Sequence, residues 1–330
     1  MPNNIIEINS VTKTFEINTE YDNLFKRLLH KNIEIVTAVD DVSLCIPQGS
    51  MVALLGKNGA GKTTLIKMMS GIISPTSGSI SVAGFDPHRD RYKYSYHIGV
   101  VLGQKSLLWH NIPVRESLNL YRSIYDISKD DYEKRLAFFG GLFECERLLD
   151  VPVRKLSLGE RMKFEIMAAL LHEPQVLFLD EPTIGLDILS KKQMYSFLKR
   201  INKENDTTII LTTHNIDDVE NLCERVVLLD EGRIIYDGDK LRLRCYDETR
   251  TICVKGSIDI DDSIQKYLYS QNDDEYIFKC NLSDAQVLSN ILQRISVGSD
   301  ITISGADIED VLLKIYEGEL ELHDKTSEDC

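Results

Sequence analysis

Five apolar residues, Met51-Val-Ala-Leu-Leu55, run directly into Gly56-Lys-Asn-Gly-Ala-Gly61-Lys62-Thr63, and a segment with Leu65, Met68 and Met69 at helical spacing follows. No other stretch limits the possible folds so tightly. The short apolar run has the character of a strand buried on both faces. The glycines let the backbone curl until several N–H groups point into one concavity, and the helix behind them adds the positive end of its dipole. The spacing G-x-x-x-x-G-K-[ST] is therefore a cradle for phosphate. Lys62 is long enough to reach the terminal phosphates, and the Thr63 hydroxyl can be given to a divalent cation. Gly56, Asn58, Gly59, Ala60, Gly61, Lys62, Thr63 and Thr64 are the candidate phosphate-binding residues.

The remaining apolar runs repeat the alternation of strand and helix. Val176–Leu179 ends in Asp180-Glu181, Thr208–Leu211 is followed by Thr-Thr-His214, and Val226–Leu229 leads into the turn Asp230-Glu231-Gly232. Strands alternating with helices imply right-handed crossovers and a mainly parallel sheet. Residues 5–15 and 35–46 alternate apolar and polar residues, as strands with one wet face do. Residues 90–170 read mostly as helix and predict a separate lobe. A carboxylate at the end of a buried strand beside a phosphate loop is placed to hold Mg²⁺, often through water, which selects Asp180. The adjacent Glu181 is placed to act as general base toward water.

The ordered set of motifs resembles the nucleotide-binding subunit of ATP-binding cassette (ABC) transporters, over about residues 5–240. Leu156-Ser157-Leu158-Gly159-Glu160 stands where that family has its LSGGQ signature. Asp180-Glu181-Pro182-Thr183 precedes Gly185-Leu186-Asp187, which is similar to the family's D-loop. His214 follows a strand as the family's switch histidine does. Gln104, in GVVLGQKSLLW, resembles the Q-loop glutamine, and Phe15 stands where the family places an aromatic against adenine. The resemblance implies an α/β P-loop ATPase fold with a mainly parallel core sheet, an antiparallel β subdomain and a helical lobe at about 90–165. It implies ATP and Mg²⁺ as ligands. Glu181, His214 and Gln104 would be catalytic, and Thr63, Gln104 and Asp180 would lie at the metal. Phe15, Ser157, Gly159, Glu160 and Asp187 join the nucleotide-binding set, the signature residues acting on ATP held by an opposite cassette. One set of motifs then requires a second copy of the chain, or a related cassette. Leu158 and Glu160 depart from the usual Gly and Gln, and Glu160 brings a carboxylate to the phosphate clamp. GQKSLLW together with LSLGER resembles bacterial-type exporter ATPases that serve separately encoded membrane permeases. That implies a peripheral place on the cytoplasmic face of the membrane. An importer ATPase, a ribosome- or nucleic-acid-associated ABC protein, and a regulatory module with little turnover are the rival readings.

Charge bears on the rivals. The 330-residue chain has 38 Lys+Arg against 52 Asp+Glu, a net charge of −14, which argues against broad nucleic-acid binding. Residues 1–240 carry 29 basic and 33 acidic residues, net −4, whereas residues 241–330 carry 9 and 19, net −10. The shift predicts a boundary near Lys240 and an accessory α+β domain with an acidic tail over 241–330. There, strands are expected at Thr249–Val254, Tyr276–Cys280 and Ile301–Ser304, with helices at 262–269, 283–295 (begun by a capping box at Ser283) and 306–317. Leu24, Phe25, Leu28 and Leu29 with interleaved basic residues predict an amphipathic helix within 16–34, read as a cap on the sheet. The longest uncharged stretch, Met68–Phe85, is interrupted by Pro75, three Gly and five Ser, so no membrane span is expected. Seven cysteines without a C-x-x-C pair are read as reduced thiols.

Overall fold

The computed structural model describes residues 3–18, 33–103, 105–281, 285–296 and 298–320. The predicted helix at 24–31, Gln104, the capping box at Ser283 and the last ten residues lie outside them. One compact unit ends at Asp237 and a second begins at Gly238.

In the first unit, β1 (Asn4–Asn18), β2 (Ile33–Pro47), β3 (Met51–Leu55), α1 (Lys62–Met69), β4 (Ser77–Val82), the single turn α2 (Arg91–Tyr94) and β5 (Ile98–Leu102) come first. They are followed by α3 (Val114–Ile124), α4 (Lys129–Phe143), α5 (Leu158–Leu170), β6 (Val176–Asp180), α6 (Ile188–Asn205), β7 (Thr208–Thr212), α7 (Ile216–Leu222), β8 (Arg225–Asp230) and β9 (Arg233–Asp239). A six-stranded sheet has the order β5-β6-β7-β3-β8-β9, and β5 through β8 run parallel wherever they pair. Its central strands are buried on both faces, which is why Val52–Leu55, Val176–Leu179 and Ile209–Leu211 are uninterrupted apolar runs. The smaller sheet, β2-β1-β4, is antiparallel and alternates. Ile6, Ile8 and Val11 face its core while Glu7, Asn9 and Ser10 face water.

Within the mostly helical 90–170 stretch, Ile98–Leu102 is an outer strand of the core sheet, paired along its length with β6. It is anchored to α5 by backbone contact. A Cβ at Gly99 would lie 2.4 Å from the carbonyl oxygen of Ala169, so only glycine allows the strand this close to the helix. The lobe helices α3 and α4 carry their own start signals. Ser128 caps α4 by accepting from Asp131 N–H at 3.1 Å, and Pro113 precedes α3.

The second unit contains α8 (Lys240–Cys245), β10 (Thr249–Lys255), α9 (Asp262–Gln265), β11 (Leu268–Asn272), β12 (Glu275–Asn281), α10 (Ala285–Arg294), β13 (Asp300–Gly305) and α11 (Ile308–Glu317). The order β11-β12-β10-β13 is antiparallel throughout. Ile252, Val254, Phe278, Ile264 and Ile291 form its core. The predicted helix 262–269 is shorter than expected. It stops at Gln265, because Leu268–Asn272 pairs with β12 as a strand. Of the predicted apolar face of α11, Ile308, Val311 and Leu312 are buried and Ile315 is half-buried.

Cys145, Cys223, Cys245, Cys253 and Cys280 are free thiols. No helix among the described residues is long and apolar enough to cross a membrane.

Replacing Gly99 by alanine is expected to destabilise the first unit by about 1–3 kcal/mol, because the backbone of β5 must move off α5. Urea denaturation followed by tryptophan fluorescence measures this, and an unshifted midpoint would refute the close approach.

Candidate functional site

The register of the core sheet brings the motif residues together. Leu102 is level with Asp180, Asp180 with Thr212, and Thr212 with Leu54. Gly56, Glu181, Thr213 and Gly103 therefore leave the sheet at the same carboxyl edge, the side on which open α/β sheets bind ligands.

Two glycines seat the phosphate loop. Gly56 has φ +151°, and a Cβ there would lie 2.4 Å from the carbonyl oxygen of Leu229. Gly61 has φ +102°, and its Cβ would meet the carbonyl oxygen of Ala38 at 2.4 Å. The loop is thus pressed against β8 on one side and β2 on the other. Helix α1 starts from Gly61 with no side-chain cap, so the first-turn N–H groups are left for a ligand. Asn58 and Gly59 are exposed, Ala60 and Lys62 buried, and Thr63 and Thr64 half-buried. Lys62 Nζ donates to the carbonyls of Gly56 at 2.6 Å and Lys57 at 3.0 Å. Burial lowers its pKa from the ordinary lysine value, against the opposing pull of Glu181 and Asp180.

The carboxylates stand opposite. Asp180 Oδ1 accepts from Thr63 Oγ1 at 3.0 Å and from Thr212 Oγ1 at 2.6 Å. Two hard oxygen donors at the mouth of a phosphate loop fit Mg²⁺, which takes one or two protein oxygens and fills its remaining positions with phosphate and water. Among the described residues no group of three or more His, Cys, Asp or Glu could hold a metal, so a cation here would be shared with phosphate. Glu181 has a left-handed φ of +55°, unusual for a residue with a side chain. Its N–H donates to Thr212, at 3.1 Å to the carbonyl and 3.1 Å to Oγ1. Its Oε2 lies 2.6 Å from His214 Nδ1. Glu181 and His214, expected separately to be catalytic, therefore face each other.

The signature residues form a second cluster. Ser157 caps α5 in a full capping box. Its hydroxyl accepts from Glu160 N–H at 3.2 Å, and Glu160 Oε2 accepts from Ser157 N–H at 2.9 Å. The sequence shows this signal as Ser-x-x-Glu, and it was not read as a cap. Gly159 is buried against Ser190, whose Oγ would lie 2.8 Å from a Cβ there. Asp187 caps α6 through Ser190 N–H at 2.9 Å, and bonds from Ser190 hold its carboxyl below the usual range. Leu158 lies against Gly185, its Cδ2 2.8 Å from where a Cβ would stand. Phe15 is on β1 opposite Val36, 38% exposed, with Lys13 Nζ 5.1 Å from its ring centroid.

Three further side chains went unread in the sequence. The Thr212 hydroxyl donates to the Asp180 carboxylate and accepts from the Glu181 N–H. Glu165 on α5, almost fully buried, accepts from Leu107 N–H at 2.6 Å and from the Ser106 hydroxyl, so it ties the segment after Gln104 to the signature helix. Burial raises the Glu165 pKa although those bonds act to lower it. Asp218 collects three hydroxyls. Most of their partners lie far off in sequence, and no local motif marks these residues.

A lysine-bearing phosphate loop, a strand-end aspartate joined to the loop threonine, and an adjacent glutamate define a P-loop nucleotide hydrolase, and the chain is an ATPase. The family model described as ABC transporter matches residues 39–184. The chain is 34% identical over 205 residues to the ABC transporter ATP-binding protein NatA of Bacillus subtilis, covering 62% of this chain and 83% of that one. It is 35% identical over 210 residues to the linearmycin resistance ATP-binding protein LnrL of the same organism, covering 63% and 66%. Other relatives are much longer: the chain spans 12% of human ATP-binding cassette sub-family A member 6. The dimeric structure of MJ0796, a bacterial ABC transporter cassette, superimposes with a TM-score of 0.59 at 25% identity, over 71% of this chain and 98% of that one. The chain belongs to the ABC transporter family of ATP-binding proteins.

Thr212→Val keeps the buried shape and removes the hydroxyl that bonds Asp180 and Glu181. ATP turnover is expected to fall about tenfold or more, with nucleotide affinity changed far less. Steady-state ATPase kinetics beside nucleotide titration check this, and an unchanged kcat would exclude the role.

Proposed function

We propose that the chain is the ATP-hydrolysing subunit of a membrane exporter, working as a dimer with a second copy or a related cassette. The observation that carries the hydrolytic part is the Glu181–His214 pair, beside an Asp180 already bonded to the loop threonine.

The steps follow from the residues. The curled loop and the free N–H groups of α1 receive the phosphates, and Lys62 exchanges its bonds to Gly56 and Lys57 for the terminal phosphates. Phe15 offers its face to adenine. Thr63 and Asp180, with Gln104, would hold Mg²⁺, which supplies neutralisation of charge on the β- and γ-phosphates. Glu181 accepts a proton from water as its oxygen attacks the γ-phosphorus. The bond from that phosphorus to the β–γ bridging oxygen breaks, and ADP and phosphate result. His214 steadies the Glu181 carboxylate and contacts the γ-phosphate, sensing its loss. Little covalent work falls to the protein, since positioning and electrostatics supply most of the rate.

Dimerisation is supported by apolar exposure around the signature. Leu158, Ile184, Ile188 and Leu189 are 40%, 51%, 76% and 66% exposed, and Leu158 lies against Gly185 of the D-loop. A second cassette would cover them and bring its γ-phosphate to Ser157 and Gly159. Glu160, whose carboxylate holds the Ser157 N–H, would then face a phosphate of like charge.

Coupling to a permease is supported by an aromatic row on the lobe. Trp109, Tyr121, Tyr125, Tyr96 and Tyr92 follow one another at ring distances of 6.1, 6.4, 5.6 and 5.7 Å. His172 stacks on Tyr125 at 3.9 Å and is kept neutral by burial, its pKa lowered to about 4. Trp109 and Tyr92 are 45% and 78% exposed, a surface suited to a short cytoplasmic helix of a membrane subunit. Export as the direction is supported by the relative named for linearmycin resistance. This reading places the chain at the cytoplasmic face of the membrane, attached through the permease. The acidic second unit is an accessory domain without a catalytic constellation.

Glu181→Gln is expected to lower ATP turnover by about a hundredfold or more, and to leave an ATP-dependent dimer visible by size exclusion with light scattering. A variant that stays monomeric with ATP while the parent turns over at full rate would sink the dimer mechanism. Lys62→Ala is expected to abolish ATP binding in the same titration.

A further inference from the structure

Asp218 is fully buried on the first turn of α7. Among the described residues no cation pairs with it. Instead three hydroxyls donate to its carboxylate. Thr183 Oγ1 and Thr213 Oγ1 both reach Oδ2, each at 2.6 Å, and Tyr195 OH reaches Oδ1 at 2.7 Å. Thr183 lies two residues after Glu181, and Thr213 immediately precedes His214. One oxygen atom therefore joins the loop that carries the general base to the loop that carries the switch histidine. Tyr195, on α6 beyond the D-loop, holds the other oxygen.

Burying a carboxylate without a counter-charge is expensive unless its hydrogen bonds are fully made. A threonine pair bonded to each other, or two well-packed valines, would bridge the loops without that expense. A shared carboxylate does something those would not: it fixes the separation and relative height of the two loops through a single acceptor atom. The quantity it controls is the 2.6 Å contact between Glu181 Oε2 and His214 Nδ1. Small displacements of a catalytic base carry large losses of rate. We propose that Asp218 is a positioning residue for hydrolysis, holding Glu181 and His214 at working distance through Thr183 and Thr213. This rests on the catalytic reading of that pair.

The test is a kinetic cycle in the full-length chain. Asp218→Asn keeps the shape and removes the charge and one acceptor. It is expected to lower kcat about tenfold while the KM for ATP stays within about twofold. In a His214→Ala background the same substitution is expected to cost less than about twofold more, because the pair it aligns is already broken. Thr183→Val with Thr213→Val, which leaves the carboxylate in place, is expected to reproduce the loss and to show the same non-additivity. If Asp218→Asn folds with unchanged kcat, or its effect multiplies fully with that of His214→Ala, the residue only packs the fold and the proposal is overturned. If His214→Ala or Glu181→Gln turns over at the parental rate, the catalytic reading beneath it fails instead.

Discussion

The phosphate loop has almost no room to be anywhere else. Between Leu55 and Lys62 the chain must turn from strand to helix with its amides facing inward. At Gly56 and Gly61 a Cβ would lie 2.4 Å from a carbonyl oxygen of another strand. Everything at the site is measured from that seat. Lys62 and Thr63 are placed by it, and Asp180 reaches Thr63 because β6 ends level with β7 and hence with β3. A side chain at either glycine would move the loop off the sheet and uncouple it from the carboxylates together.

The site's other regularity is that its carboxylates are satisfied by hydroxyls and amides rather than cations. Asp180 is held by Thr63 and Thr212, Asp218 by Thr183, Thr213 and Tyr195, and Glu165 by Ser106 and the Leu107 N–H. A lysine or arginine partner would cancel the negative charge that a metal or an attacking water must meet. Hydroxyls meet the demand for hydrogen bonds that burial creates and leave the charge in place. Lys62, buried at the site, bonds carbonyls of its own loop, so its charge is likewise unspent.

The core strands, the loop and its carboxylates were legible because each is a local pattern: an apolar run, glycines at fixed spacing, a charged strand end. Ile98–Leu102 lies among helical segments, and its pairing with β6 makes it part of the core sheet. The expected helix 262–269 failed for a related reason, since tertiary pairing with β12 overrode local preference from Leu268 onward. Glu160 as a cap could have been read from Ser157-x-x-Glu160, but attention to its phosphate role hid the simpler bond. Thr212, Glu165 and Asp218 could not have been found this way. A threonine or an aspartate near a motif is ordinary, and what singles these out is which distant atom the fold brings to them.

The capping box at Ser157 links these two themes. Helix α1 starts at a residue without a side chain, and its amides stay open. Helix α5 starts at a serine whose hydroxyl takes the Glu160 N–H, while the Glu160 carboxylate takes the Ser157 N–H. The two helix starts thus differ in how ready they are for an anion. The first has no acidic side chain in its opening turn, whereas the second brings a carboxylate, of the same sign as phosphate, to its start.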